Sequence, residues 1–144
     1  MNVALVTGAS SGIGAAIAIA FADAGWSVMA AGRDEGRLEE VADVSDNIST
    51  WAGELIESAD CDELVSDTID EFGRIDCLVN CAGIATGERT LGRDGPHRLG
   101  SFRRTLDINL TGTFNMIRLA AAEMAANTPD RGGQRGVIVN TASV

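Results

Sequence analysis

Short apolar runs alternate along the chain with longer segments in which apolar residues recur every three or four positions. The short runs are rich in β-branched residues and do not alternate with polar ones, which is typical of strands covered on both faces of a parallel sheet. The longer segments predict helices, so the order of elements indicates an α/β fold. Strands are predicted over Val3–Val6, Ser27–Ala31, Ile48–Ala52, Asp76–Val79 and Gly136–Asn140. Helices are predicted over Ile13–Ala24, Glu35–Val41, Asp60–Phe72 and a long segment from Ser101 to Ala126.

The long helix carries two apolar stripes. One stripe can face the sheet, and the other fits either a partner helix or a position deep in the core. The polar, glycine-rich segments 86–100 and 127–135 on either side of this helix are predicted to be exposed loops. The first stripe comprises Phe102, Leu106, Leu110, Phe114, Ile117, Ala121 and Met124, and the second comprises Ile108, Met116 and Leu119.

Length and charge limit the classes of function. The 144 residues are enough for one domain with a core and too few for two, so we expect a single domain over residues 1–144. Twenty-one acidic residues against eleven basic ones give a net charge of −10. This balance argues against nucleic acid or an anionic membrane as a partner.

The three cysteines, Cys61, Cys77 and Cys81, are an odd number that predicts free and largely buried thiols in a reducing compartment. Only one histidine, His97, is available to join them, so we expect no metal site. No run approaches the roughly 18 apolar residues of a membrane span. The chain also enters its first strand directly, so we expect no leader peptide and a cytoplasmic location.

A glycine-rich turn joins the first strand to the first helix. Gly8 suits the tight turn, Gly12 would let a phosphate approach the backbone, and Gly14 would let the helix pack on the strand. The N–H groups and the positive end of such a helix bind anions, which predicts a dinucleotide pyrophosphate here. No Lys-Ser/Thr pair follows the glycines, which excludes a nucleoside-triphosphate P-loop. The predicted pyrophosphate-binding residues are Gly8, Ser10, Ser11, Gly12, Ile13 and Gly14.

Four motifs occur in order along the whole chain: Thr7–Gly14, Asn80–Gly83, Asp107–Leu110 and Gly136–Ser143. Together they resemble the motifs of the short-chain dehydrogenase/reductase family. The resemblance implies a Rossmann-type, doubly wound parallel sheet of which five strands are present. It also implies hydride transfer between a nicotinamide cofactor and an alcohol or carbonyl carbon of a small-molecule substrate, usually by a homo-oligomer (a dimer or tetramer).

The second half of the chain resembles one branch of that family more narrowly, the type-2 3-hydroxyacyl-CoA dehydrogenases. The likeness is carried by Val79–Ala85 and Leu106–Val144. It implies a 3-hydroxyacyl-CoA thioester as substrate, and that branch normally uses NAD.

The residues at the end of the second predicted strand favour NADP instead of NAD. In this class of fold an acid at that point binds the ribose 2′-hydroxyl of NAD, whereas a nearby Arg accommodates the 2′-phosphate of NADP. Here Gly32 stands where NAD-preferring members of the family carry Asp, and Arg33 follows. Asp34 and Glu35 would repel a phosphate if they faced it. We predict that NADP(H) is favoured over NAD(H), and the alternative is that Arg33 is only a solvated charge at a helix start.

Other cofactor contacts are implied by the resemblance. Glu54 occupies the position after the third strand where the family usually has an Asp that contacts the adenine amino group, and Leu55 could offer its backbone beside it. Asn80, Ala82 and Gly83 are expected near the cofactor ribose, with Asn80 also joining neighbouring strands.

The resemblance further implies a catalytic set of Asn, Ser, Tyr and Lys. Asn109 matches the Asn, whose carbonyl holds a water in a proton relay and which disturbs the long helix locally, and Ser143 matches the Ser that bonds the substrate oxygen. The Tyr and Lys follow a dozen or more residues after the Ser, and this sequence contains neither residue type. We therefore expect C-terminal strands and helices to be missing and the chain alone to be inactive. The alternative is a non-catalytic nucleotide-binding or dimerising module.

Overall fold

Strands and helices alternate from Val3 to Asn80 within residues 1–142, the part of the chain that the computed structural model describes. The first part contains β1 (Val3–Thr7), α1 (Gly12–Asp23), β2 (Ser27–Gly32), α2 (Glu35–Ala42), β3 (Ile48–Ala52), α3 (Ser58–Phe72) and β4 (Cys77–Asn80). The second part contains the two-residue strands β5 (Leu91–Gly92) and β6 (Gly95–Pro96), then α4 (Leu99–Leu106), a π-helical segment (Asp107–Gly112), α5 (Thr113–Met124) and β7 (Val137–Asn140).

Five of these strands form one parallel sheet in the order β3-β2-β1-β4-β7. The chain winds outward from β1 in one direction through β2 and β3, and then in the other through β4 and β7. The order therefore reverses between β1 and β4, and in such sheets ligands bind at the carboxyl ends of the strands beside this reversal. The predicted Rossmann-type, doubly wound sheet of five strands is confirmed.

Each face of the sheet has its own core. Ala4 and Val6 of β1 point to one face, where they pack with Ala18 of α1 and Leu38 of α2. Leu5 between them points to the other face. The residues that share that second core are Met29, Leu64, Leu78, Met116, Ala120 and Met124, with α3 and α5 as the covering helices. Both faces of the central strands are thus buried, which is why their sequences are apolar without alternation.

The last strand lies at the edge of the sheet. Its Val137 and Val139 pair with Cys77 and Val79 of β4 and so point to the same face as α1, but they lie beyond the cover of that helix. Both valines are about half exposed, at 49% and 47%. Ile138 points the other way and packs partly against the core under α5.

The helix predicted from about Ser101 to Ala126 is present from Leu99 to Met124, and the local disturbance expected at Asn109 interrupts it. Helix begins at Leu99, inside the predicted loop 86–100, and the same loop also contains the β5–β6 hairpin. The segment Asp107–Gly112 is π-helical and separates α4 from α5. A π turn holds more residues than an α turn, so it rotates the face that the following residues present.

The first predicted stripe does not form one buried face. Its amino-terminal members are exposed by 40 to 63%, whereas Met124 at its other end is buried. In the second stripe Met116 is fully buried and Leu119 partly so, so the core position, one of the two alternatives left open, is the correct one for Met116. The exposed members of the first stripe are Phe102, Leu106, Leu110, Phe114 and Ala121.

Candidate functional site

A cleft that is partly open to solvent lies at the carboxyl ends of β1 to β4. The walls come from the loops that follow these four strands and from the π-helical segment. The lining residues are Gly8, Ser10, Ser11, Gly32, Arg33, Gly53, Glu54, Leu55, Ile56, Cys81, Ala82, Gly83, Ile84 and Ile108.

The glycine turn after β1 has the geometry that a phosphate cradle needs. Gly8 and Gly12 have φ values of +67° and +56°, a region that L-residues with side chains rarely adopt. Nothing lies within 4 Å of a Cβ built at Gly12, so the start of α1 is open above that residue. A Cβ on Gly14 would instead collide with the Gly8 carbonyl, which shows how closely α1 approaches the end of β1.

The amino end of α1 is available to an anion. Ser11 is the N-cap residue, and its side chain makes no capping hydrogen bond within the described chain. The first N–H groups of a helix have no intrahelical partner, and they carry the positive end of the helix dipole. Together with the open Cβ position at Gly12, this arrangement fits a pyrophosphate.

Thr7, at the end of β1, ties the glycine turn to the loop after β4. Its side chain is 1% exposed, and its Oγ1 accepts hydrogen bonds from the amides of Cys81 and Ala82, each at 3.2 Å. A Cβ on Gly8 would lie 2.6 Å from the Ala82 nitrogen. The two loops that face each other across the topological reversal are therefore held in direct contact.

Two arginines share one carboxylate at the other end of the cleft. Arg33, after β2, and Arg104, in the last turn of α4, lie 3.5 and 2.9 Å from the same oxygen of Glu54, Oε1. Asp34, which could have repelled a phosphate, is the N-cap of α2. It accepts a hydrogen bond from the amide of Arg37 and also pairs with the guanidinium of that residue.

Gly32 is close to the glycine turn as well as to these charges. A Cβ at Gly32 would lie 3.1 Å from both Cβ and Oγ of Ser10. A larger residue at this position would require the Ser10 side chain to shift slightly.

Asn109 lies within the π-helical segment and bonds across the mouth of the cleft. Its Oδ1 accepts from the Ile84 amide at 2.8 Å, and its Nδ2 donates to the Ile84 carbonyl at 2.7 Å. The predicted local disturbance of the helix around this residue is present. Both the oxygen and the nitrogen of the side-chain amide are already hydrogen-bonded. A water in a proton relay would therefore bind the main-chain carbonyl of Asn109 instead of its side chain. Ser143 lies outside the described residues.

Asn80 is one of the predicted site residues that does not line the cleft. It is 4% exposed, and its Nδ2 donates to Asn140 Oδ1 at 2.9 Å, which joins β4 to β7 as the sequence predicted. Gly12, Ile13 and Gly14, within α1, are likewise absent from the lining, and Ile13 is 63% exposed. The residues that sequence reasoning missed are Gly53, Ile56, Cys81, Ile84 and Ile108 in the lining, Thr7 beneath it and Arg104 at its rim.

Several titratable groups outside the cleft are perturbed. Burial raises the pKa of the Cys61 and Cys77 thiols, which keeps both in the neutral form. Hydrogen bonds from Arg98 and Ser101 lower the pKa of Glu88 to about 2, and these three residues fasten the β5–β6 hairpin to the start of α4. No group of metal-ligating side chains occurs within residues 1–142, and no helix there is long and apolar enough to cross a membrane.

Comparison with known proteins gives a family match over nearly the whole chain. The model of the short chain dehydrogenase family matches residues 2–144. Among curated proteins, the 3-hydroxyacyl-CoA dehydrogenase type-2 of Drosophila melanogaster is 44% identical over 145 residues, which cover 99% of this chain and 57% of the relative. The human protein of the same name is 42% identical, with 99% and 56% covered.

A solved structure agrees with this match. A doubly substituted short-chain dehydrogenase/reductase from Serratia marcescens is similar with a TM-score of 0.80 at 30% sequence identity. The similarity covers 96% of this chain and 54% of that one. The chain therefore spans a little over half the length of the relatives that it matches.

Proposed function

The chain belongs to the short-chain dehydrogenase family, and on that premise we propose that residues 1–144 form the cofactor-binding part of an NAD(P)-dependent oxidoreductase. The whole protein would transfer hydride between the cofactor and a secondary alcohol or carbonyl. The observation that carries this proposal is the glycine turn, with its open Cβ position at Gly12 and the unpaired amino end of α1, facing the loop after β4 across one cleft.

Each part of the cleft would have its own task when the cofactor is bound. Ser10, Ser11 and the first amides of α1 would hold the pyrophosphate, and Leu55 would offer its backbone to the adenine. Ala82 and Gly83 would face the ribose. The bound nicotinamide would supply the hydride chemistry, while the protein orients it and excludes water.

We propose that NADP(H) is favoured over NAD(H). Three features support this preference: Gly32 stands where NAD-preferring members of the family carry Asp, Arg33 lines the cleft, and Asp34 is engaged by the first turn of α2. The guanidinium of Arg33 presents a donor fork that suits a phosphate. The type-2 3-hydroxyacyl-CoA dehydrogenase resemblance implies NAD instead, but discrimination is made at these residues, so they carry more weight.

The catalytic role of this chain is proposed to be partial. Asn109 would hold a water through its main-chain carbonyl, and Ser143 would donate to the substrate oxygen as charge develops there. The general acid/base and the group that lowers its pKa are expected to be a Tyr and a Lys, neither of which occurs in these 144 residues. We therefore expect no turnover by the isolated chain.

The substrate class is proposed to be a 3-hydroxyacyl-CoA thioester. Support comes from the names of the relatives from Drosophila melanogaster and Homo sapiens and from the motifs of the second half of the chain. A homo-oligomeric assembly and a reducing, cytoplasmic environment remain expectations, the latter in keeping with three unpaired cysteines.

Fluorescence titration tests the cofactor proposal directly. Trp51 packs over Gly53, which lines the cleft, so bound NADPH should quench the emission of Trp51 by energy transfer. We expect saturable quenching that is tighter with NADPH than with NADH, and a melting temperature that rises with NADPH concentration. A Trp51→Phe variant, which retains Trp26, controls for inner-filter effects. Absence of both signals would contradict nucleotide binding.

Turnover separates the enzyme from the non-catalytic module. A 3-hydroxyacyl-CoA and NADP⁺, or NAD⁺, are supplied to the 144-residue chain and to the same chain continued through a Tyr-x-x-x-Lys segment. We expect reduction of the cofactor only with the longer chain. Cofactor binding without turnover by both would favour the nucleotide-binding module.

A further inference from the structure

Three charged side chains from distant parts of the sequence meet at the rim of the cleft. Arg33 follows β2, Glu54 follows β3, and Arg104 comes from the last turn of α4. Both guanidinium groups lie against one carboxylate oxygen, Glu54 Oε1, at 3.5 Å for Arg33 and 2.9 Å for Arg104. The side chains are 57%, 44% and 48% exposed, so all three are accessible to a ligand.

The cluster carries more positive charge and more donors than Glu54 can satisfy. Two guanidinium groups and one carboxylate leave a net charge of +1. Each guanidinium has five N–H donors, and Glu54 Oε1 engages one nitrogen of each group. Of the two acids that follow Arg33, Asp34 does not offset the excess, because it accepts from the Arg37 amide and pairs with the Arg37 guanidinium.

A phosphate would suit this arrangement better than the carboxylate does. It brings nearly two negative charges and three acceptor oxygens, and arginines bind it through paired hydrogen bonds. Arg33 and Glu54 line the cleft beside Leu55, whose backbone we assign to the adenine. Arg104 reaches the same place from the other wall, although it follows Arg33 by 71 positions and belongs to no motif.

We propose that Arg104 is a second specificity-determining residue for a 2′-phosphorylated adenosine, and that Glu54 is a counter-ion that holds both arginines until the phosphate replaces it. The inference rests on the proposed nucleotide-binding function. It assigns Glu54 a role opposite to the one implied by the family resemblance. As an adenine contact Glu54 would strengthen binding of every adenosine ligand, whereas as a counter-ion it weakens binding of the phosphorylated ones.

Two small probes isolate this end of the cleft. Adenosine 2′,5′-bisphosphate and adenosine 5′-monophosphate differ only in the 2′-phosphate, and neither needs the nicotinamide half of the site. Their dissociation constants are measured by calorimetry on the 144-residue chain and on Arg104→Gln and Glu54→Gln variants. Arg103→Gln is the matched control, because Arg103 is the neighbouring exposed residue of α4 and its loss changes the net charge equally.

The two variants should change the ratio of the bisphosphate and monophosphate dissociation constants in opposite directions. Arg104→Gln should weaken the bisphosphate about fivefold, as expected for one exposed charge pair, and leave the monophosphate unchanged. Glu54→Gln should tighten the bisphosphate by about threefold to fivefold on the same grounds. Arg103→Gln should change either constant by less than about twofold, because an unpaired surface charge is screened.

Other results would overturn the inference. If Glu54→Gln weakens both probes, Glu54 contacts the adenine and is no counter-ion. If Arg104→Gln weakens both probes equally, or Arg103→Gln matches it, Arg104 does not recognise the 2′-phosphate. A wild-type chain that binds neither probe would refute the proposed function itself. If the wild-type chain binds both probes and neither substitution changes the two dissociation constants, only the role given to Arg104 and Glu54 is refuted.

Discussion

Replacement of Thr7 by Val tests whether the contact between the glycine turn and the loop after β4 matters for stability and for cofactor binding. Val is nearly isosteric and suits a buried strand, so the change removes mainly the Oγ1 acceptor. In this variant the Cys81 amide still donates to the main-chain carbonyl of Thr7, at 3.2 Å. The Ala82 amide loses its hydrogen bond to Thr7 Oγ1, for which the described residues offer no replacement. An unsatisfied buried amide costs about 1–3 kcal/mol, and Ala82 is only half-buried, so we expect a loss of about 1–2 kcal/mol.

Thr7→Ser is the matched control, because it keeps the hydroxyl and removes a methyl group worth about 0.8 kcal/mol. Urea unfolding followed by tryptophan fluorescence measures both losses, and amide hydrogen exchange distinguishes their causes. The Ala82 amide should exchange faster in Thr7→Val and at the wild-type rate in Thr7→Ser. NADPH affinity should fall in the first variant alone. Unchanged Ala82 exchange together with unchanged affinity in Thr7→Val would refute the reasoning.

Three other perturbations probe the turn, the core and the hairpin. Gly14→Ala places a methyl group against the Gly8 carbonyl, so it should lower the free energy of unfolding by about 1–3 kcal/mol and weaken NADPH binding; wild-type behaviour in both assays would contradict the close packing of α1 on β1. Leu78→Ala empties a fully buried position and should cost about 2–5 kcal/mol in urea unfolding, and a loss below about 1 kcal/mol would show that the site is not core. Glu88 has its pKa lowered from 4.5 to about 2 by Arg98, so its stabilising effect is present above about pH 4.5 and lost as the pH falls toward about 2. Glu88→Gln should therefore lose less stability than the wild type over that range, and parallel pH curves for the two proteins would refute the prediction.

The sheet and the glycine turn could be predicted from local sequence because their determinants are local. Non-alternating runs such as that in β1 indicate burial on both faces, and the structure places Leu5 and Val6 in different cores. Gly8 and Gly12 adopt the left-handed conformations for which glycine is suited, so the turn type can be anticipated from the residues themselves.

The region before α5 was harder to predict because its conformation depends on distant partners. The side chain of Asn109 pairs with the backbone of Ile84, and Glu88 joins the hairpin to α4 through Arg98. Neither contact has a signal in the periodicity of the helix. The stripe read as continuous from Phe102 to Met124 is exposed from Phe102 to Phe114, on both sides of the π-helical segment, and is buried at Met124.

The choice of cofactor was hard to predict for the same reason, because it depends on charged side chains that meet only in the folded chain. From sequence alone Arg33 stands beside two acids, and whether those acids oppose a phosphate depends on where they point. Asp34 is engaged by α2, while Glu54, 21 positions after Arg33, binds it together with Arg104. The charge available to a 2′-phosphate is therefore set by loops and a helix that meet only in the folded chain. On the roles proposed above, a substitution of Arg104 on α4 should change nucleotide preference, as should one of Arg33 at the end of β2.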